Sequence, residues 1–248
     1  MPINKWVLSF DLDNTLWETD PVIMAAEQEC YEWMQTHSPA SCELYSLGAL
    51  HEYRMQLAEC YPDLRHQLTR LRYETLRRVF MQGGHNHEEA IALAQAAFDV
   101  FHAARNRVTL FDGVLPVLTK LAERFPIFAL TNGNADLKMV GIDHLFSQHF
   151  HAEGSGAAKP AANMFKDALT CASITADRMI HIGDHPLQDV AAAKRLGLKS
   201  IWMNLSNQDW QTSIGKYKEH DWAHTLIPDA TVASWNDLTA AINNIVGE

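Results

Sequence analysis

The sequence predicts an α/β fold: a parallel sheet with helices on both faces, interrupted after its first strand by an inserted α-helical segment. Three observations carry this. From about residue 108 onward, short apolar runs alternate with helix-length segments, the rhythm of βαβ units and a parallel sheet. Residues 17–107 hold no comparable apolar run and read as consecutive helices. One strand-like run, WVLSF at 6–10, stands alone ahead of them and ends in acidic residues, as expected of a buried strand feeding a loop. The expected division is a core of residues 1–16 plus 108–248 with a helical insertion at 17–107.

The insertion reads as helices near 21–36, 46–59, 62–81 and 87–105. Asp20-Pro21, Pro62 and Asn86 mark their starts, and Gly83-Gly84 separates the last two, in keeping with caps and first-turn prolines. After Asp112-Gly113 the order is helix 114–124, strand 127–130, a helix after Gly133, and a strand near 149–152. Helix 163–172, strand 179–182, helix 187–196 and strand 200–203 follow, then a short strand near 231–233. The last helix has Ser234 as its N-cap.

Hydrophobic residues make up 47% and charged residues 20% of the 248, which suits a globular chain with a sizeable core. The net charge of -10 argues against a nucleic-acid partner, which would call for a basic face. No apolar stretch nears the roughly 20 residues that span a bilayer, so no membrane partner is expected. Cys30, Cys42, Cys60 and Cys171 have neither zinc nor redox spacing. With no signal-like start in MPINKWVLSFDLDNT, a reduced, cytoplasmic setting is expected. Oligomeric state leaves no sign in the sequence.

In open parallel sheets ligands bind beyond the carboxyl ends of the strands, and four such ends carry polar chemistry here. Asp11 and Asp13 close the first strand, two apart and so facing one way. Such a pair favours a cation or a shared proton, although a lone DxD equally suits a polar loop. Thr131-Asn132-Gly133 ends the second strand of the core; it suits a small anion, or an ordinary Asn-Gly turn. Lys159-Pro160 follows a glycine-rich loop and places a cation that could neutralise phosphate, though a surface lysine reads the same way. Gly183-Asp184-His185-Pro186-Leu187-Gln188-Asp189 supplies a second acidic edge, suited to magnesium, which takes few protein ligands and keeps its waters. Acidic pair, hydroxyl, lysine and acidic pair at successive strand ends make a conjunction that each part lacks alone.

With DLDNT at 11–15, TN at 131–132, KP at 159–160 and GDHPLQD at 183–189, the chain resembles the haloacid dehalogenase-like hydrolase superfamily, with a Rossmann-like core and a helical C1-type cap. The resemblance covers residues 1–16 and about 108–248. It implies a magnesium-dependent phosphatase acting on a small phosphorylated metabolite. Asp11 would be the nucleophile, forming an aspartyl-phosphate, and Asp13 the acid and then the base. Mg2+ would be held by Asp11, the main-chain carbonyl of Asp13, and Asp184. Thr131, Asn132 and Lys159 would hold phosphoryl oxygens, and Asp189 would order the metal's surroundings or Lys159. Within the superfamily, dehalogenases lack an acid at the place of Asp13, because a halide leaves without a proton. The phosphonate-cleaving branch uses a cap lysine, and residues 17–107 contain none.

FDLDNTLW, RLRYETL and TNGNA further resemble a bacterial phosphatase branch acting on flavin mononucleotide and on the phosphoribitylamino-uracil intermediate of riboflavin synthesis. Sugar phosphates and nucleotides stand as alternatives within the superfamily, and a phosphoryl-accepting signalling domain or an idle binding protein outside it. Trp17, near the expected hinge, could line a substrate entrance. Arg72 suits either a substrate contact or a solvated helix face, Tyr73 reads chiefly as core between helices rather than a substrate contact, and His185 reads as solvated or adjacent to the metal's surroundings.

Overall fold

The computed structural model describes residues 6–247. Six strands form one wholly parallel sheet: β1 (Val7–Phe10), β2 (Ile127–Thr131), β3 (Gln148–His151), β4 (Met179–Gly183), β5 (Lys199–Met203) and β6 (Ala230–Val232). Their order across the sheet is β3-β2-β1-β4-β5-β6. The apolar runs follow from this order. β1, β2 and β4 are buried at every position, as central strands covered on both faces must be. β3, at the edge, carries Gln148, His149 and His151 with no fully buried position.

From β1 the chain builds outward through β2 and β3, then crosses to β4 and builds outward the other way. The reversal falls at the β1–β4 pair, where the carboxyl ends of two adjacent strands open a crevice. Alternation along β1 assigns its two faces. Phe10 stacks on Trp235 of helix Trp235–Val246, with ring centroids 5.8 Å apart. On the opposite face Val7 joins Met164, Phe165 and Ala168 of helix Asn163–Ala172 in a buried cluster. Ser9 and Asp11 share that second face.

The chain divides into two compact units. One comprises residues 1–18, 109–133 and 141–248, and the other residues 19–108 and 134–140. Within the first, outgoing and returning chains run side by side: Trp17 bridges Leu110, and the Phe111 N–H donates to Leu16 O at 2.9 Å. The second unit holds helices Asp20–His37, Pro39–Leu44, Leu47–Cys60, Leu68–Gln82 and His87–Arg105. Ala90, Ala94 and Ala97 present a small-residue stripe against which Ala26, Cys30 and Met34 pack, allowing close helix approach. Asn86 and Glu89 form a reciprocal capping box at the last helix. The segment 134–140 groups here because Asn106 Oδ1 accepts the Asp136 N–H (2.8 Å) and Asn134 Oδ1 accepts from Arg105 Nε (3.0 Å).

Two expectations differ inside this unit. The helix expected over 62–81 is a short 3-10 turn, Pro62–Leu64, followed by a helix from Leu68, because Gln67 leaves the helical backbone (φ -112, ψ 67). Arg72 is not on a solvated face. Its guanidinium lies 3.5 Å from the centre of the Phe101 ring and shares the Glu27 carboxylate (3.0 Å) with Arg54 (2.6 Å). No helix among the described residues is long and apolar enough to cross a membrane.

Candidate active site

The site stands at the carboxyl ends of β1 and β4. Asp11 leaves β1 with its N–H donated to Ile182 O at 2.9 Å, which sets its carboxylate beside the end of β4. Asn14, three residues on, takes a left-handed backbone (φ 60), a conformation asparagine tolerates, and turns the chain sharply. Thr15 then faces Asp184. Its hydroxyl donates to Asp184 Oδ1 (3.0 Å) and accepts the Asp184 N–H (3.1 Å), so the first and last motifs lock to each other. The Trp202 indole donates to Asp184 O (2.7 Å).

Lys159 lies at the centre of the group, buried, and every proton of its ammonium is used. Nζ donates to Asp11 Oδ1 (2.7 Å), Asp189 Oδ1 (2.6 Å) and Leu130 O (2.7 Å). Asp189 is equally committed. Oδ1 also meets His181 Nε2 at 3.2 Å, and Oδ2 accepts the His185 N–H at 2.9 Å. Gly183 makes this approach possible, since a Cβ there would collide with the Asp189 carboxyl group.

The electrostatics follow from burial and from counting charges. Burial raises the Asp11 carboxyl well above its usual range, reinforced by Asp189 and Asp184 and opposed by Lys159. Burial, with Asp189 adding to it, pushes Asp184 up to about 7. Burial would also raise Asp189, but Lys159 and His181 hold it well below its usual value. Burial would lower the Lys159 ammonium, yet Asp11 and Asp189 raise it. Three carboxyl groups thus face one cation, with oxygens of Asp11, Asp184 and Asp189 all within 4.8 Å of one another. An all-oxygen, anion-rich set with a reluctant Asp184 fits a hard divalent cation.

The remaining expected residues are placed as follows. Asp13 is half-buried and its Oδ1 accepts from the Trp17 indole at 2.9 Å; its carboxylate is not one of the three that converge. Trp17 is fully buried, so it lines no entrance and instead fixes Asp13. Thr131 is fully buried, and its hydroxyl accepts the Gly133 N–H (2.9 Å), keeping its own proton to donate. Asn132 reaches the site differently from expectation. Its Oδ1 accepts the Lys159 N–H (2.7 Å), and its Nδ2 donates to Lys159 O and Gln188 Oε1, each at 3.0 Å. The amide expected on a phosphoryl oxygen therefore clamps the Lys159 main chain. His185 is neither solvated nor part of the acidic group: Nδ1 accepts the N–H groups of Leu187 and Gln188, and Nε2 meets Tyr217 Oη at 3.0 Å. It caps the π-helical turn Pro186–Ala191 that carries Asp189.

Sequence reasoning missed Ser9, Thr15, His181 and Trp202. Thr15 lay within the DLDNT run and could have been found from its spacing to Asp11. Ser9 and His181 lie inside apolar strands, where no pattern distinguishes a polar residue that serves the site.

Fold and site together define a Rossmann-like protein with a buried acidic group gathered at the carboxyl ends of β1 and β4. The model of the haloacid dehalogenase-like hydrolase family matches residues 7–197, and the chain belongs to that family. It is 29% identical over 235 residues to the 5-amino-6-(5-phospho-D-ribitylamino)uracil phosphatase YigB of Escherichia coli K12, covering 95% of each chain. It is 27% identical over 202 residues to a glyceraldehyde 3-phosphate phosphatase of Pyrococcus abyssi, covering 79% of this chain and 80% of that one. A solved structure described as a 2-haloacid dehalogenase from Pseudomonas syringae pv. Tomato DC3000 matches with a TM-score of 0.88 and 31% identity. It covers 97% of this chain and 99% of that one.

Proposed function

We propose that this hydrolase is a phosphatase that cleaves phosphate monoesters of small metabolites through an aspartyl-phosphate on Asp11. The observation that carries the reading is Asp13, a carboxyl group two residues beyond the nucleophile and held by the buried Trp17 indole. An alkoxide leaving group needs a proton and a halide does not, so an oriented acid at this place suits ester cleavage. The relatives' names divide between phosphatases and a dehalogenase, and Asp13 weighs for the phosphatases.

In this mechanism a carboxylate oxygen of Asp11 attacks phosphorus and the ester P–O bond breaks. Asp13 gives its proton to the departing alkoxide. Asp13 then takes a proton from water, which attacks phosphorus and releases phosphate and the Asp11 carboxylate. Lys159 fixes Asp11 by holding Oδ1, and its charge offsets that gathering on the phosphoryl oxygens. Its three protons are engaged, so charge rather than a spare N–H is what it brings. The Thr131 hydroxyl donates to a phosphoryl oxygen, while the Asn132 amide keeps Lys159 in place. Asp11 and Asp184, with the main-chain carbonyl of Asp13, would hold Mg2+, which when bound offsets the repulsion between carboxylate and phosphoryl group. Asp189 serves Lys159 rather than the cation, because both its oxygens already accept hydrogen bonds.

For the substrate, the relative from Escherichia coli and the FDLDNTLW and RLRYETL segments of this chain support flavin mononucleotide or the phosphoribitylamino-uracil ester. The Pyrococcus relative favours a second reading, a sugar-phosphate phosphatase. Phosphate release from these esters, and halide release from 2-haloacids, each with and without magnesium, tests the reading. Magnesium-dependent phosphate release without halide release is expected; halide release alone would overturn it.

A further inference from the structure

Beneath the reacting carboxylates runs a buried polar chain that the mechanism above does not use. Ser9 and His181 pair across β1 and β4, and both are fully buried. Ser9 Oγ lies 2.9 Å from His181 Nδ1. Nε2 of the same ring lies 3.2 Å from Asp189 Oδ1, the oxygen that accepts from Lys159. Phe165 packs edge-on against the imidazole, with centroids 5.0 Å apart and planes at 87°, which restrains the plane of the ring.

The proton positions follow from what each partner can do. Burial lowers His181 below its ordinary value despite the pull of Asp189, so the ring is neutral and carries one N–H. Asp189, held ionised beside Lys159, can only accept. The proton therefore sits on Nε2, leaving Nδ1 as acceptor, and the Ser9 hydroxyl must donate to it. Ser9 Oγ also lies 3.4 Å from Ile180 O, a longer and weaker contact that does not compete with the one at 2.9 Å.

We propose that His181 is a positioning residue for the reaction, with Ser9 fixing its tautomer. Its Nε2–H holds Asp189 Oδ1 in the direction that aims the Lys159 ammonium at Asp11. The inference rests on the phosphatase reading for its kinetic consequence, but the hydrogen-bond chain stands apart from it. Gly183 leaves room for Asp189 to approach, the His185 N–H holds Oδ2, and the imidazole holds Oδ1; of these, only His181 reaches the oxygen shared with Lys159. Without it, that oxygen keeps only Lys159 as donor, and the carboxylate turns more freely between Lys159 and the His185 N–H. A lysine misaimed by a fraction of an ångström still binds substrate through its charge but no longer holds the nucleophile in line.

The test compares His181→Leu and His181→Gln with wild type, using p-nitrophenyl phosphate at saturating magnesium. Glutamine can present an N–H near the place of Nε2, and leucine cannot. The expected result is a kcat lowered about 10- to 100-fold in the leucine variant, the range for groups that orient the residues around a reacting centre. KM should change by less than about threefold, and the glutamine variant should recover most of kcat. Equal losses in both variants, or losses that follow their thermal stabilities, would overturn the proposal. NMR of the imidazole nitrogens in the metal-free wild-type protein gives a readout independent of turnover: a proton on Nε2 is expected, and one on Nδ1 would overturn it. A wild type that turns over no phosphate ester would remove the phosphatase reading, while the tautomer still decides whether the chain is built as described.

Discussion

Replacing Asp184 by asparagine should stabilise the metal-free protein at neutral pH. Asp184 accepts from the Thr15 hydroxyl through Oδ1, a bond the asparagine oxygen keeps, and its main-chain carbonyl still receives the Trp202 indole. What changes is the charge. Burial beside Asp189 moves this carboxyl from 3.8 to about 7, and a tenfold change in proton affinity is worth about 1.4 kcal/mol. A group with a raised folded value binds its proton more tightly folded than unfolded. Its penalty is therefore absent below about pH 4, grows as pH rises, and is complete just above 7. The variant should exceed wild type by about 2 kcal/mol at pH 5 and by up to about 4 kcal/mol at pH 7.5. Urea denaturation in the presence of a chelator reads this directly. Excess magnesium should close the gap, because only wild type gains the full binding free energy. A variant no more stable than wild type at pH 7.5 without metal would refute the reasoning.

Two further outcomes follow from the geometry. Gly183→Ala places a Cβ against the Asp189 carboxyl group, so phosphatase kcat should fall at least tenfold, in line with other changes that disturb orienting groups; unchanged kcat would show that Asp189 need not lie where it does. Glu27→Gln leaves the Arg54 and Arg72 guanidinium groups without their shared anion, and should destabilise the helical unit by about 3 kcal/mol. Although burial opposes it, the two arginines lower the Glu27 carboxyl. Its contribution is thus present above about pH 4 and lost as pH falls below that, and denaturation curves for wild type and variant should converge in acid.

The sequence disclosed those parts of the fold whose signals are local. The helix ends at Asn86 and Ser234 are written in caps, and the central strands in apolar runs that burial on both faces requires. Asp11, Asp184 and Asp189 were legible because each sits just beyond a strand or in the turn that follows one, and Lys159 because a glycine-rich loop and Pro160 flank it. The remainder depended on side-chain direction over long sequence separations. Asn132 looks like an anion donor until its amide is seen engaged with Lys159, 27 residues away. Trp17 has the position of an entrance residue but turns inward to Asp13. Arg72 sits among repeated arginines, and only the approach of Glu27 and Phe101 makes it an interior residue. Ser9 and His181 meet across 172 positions, a pairing that strand periodicity cannot reveal.

The central claim is that Asp11 attacks phosphorus, and the stereochemical course at phosphorus tests it most directly. A phosphorothioate ester made chiral with one heavy oxygen isotope, hydrolysed in water carrying another, releases a chiral thiophosphate; two in-line displacements, first by Asp11 and then by water, retain configuration at phosphorus. Retention is predicted, and Asp11→Asn should release no phosphate. Inversion would mean that water attacked the ester directly. That result, or undiminished turnover by Asp11→Asn, would contradict the account.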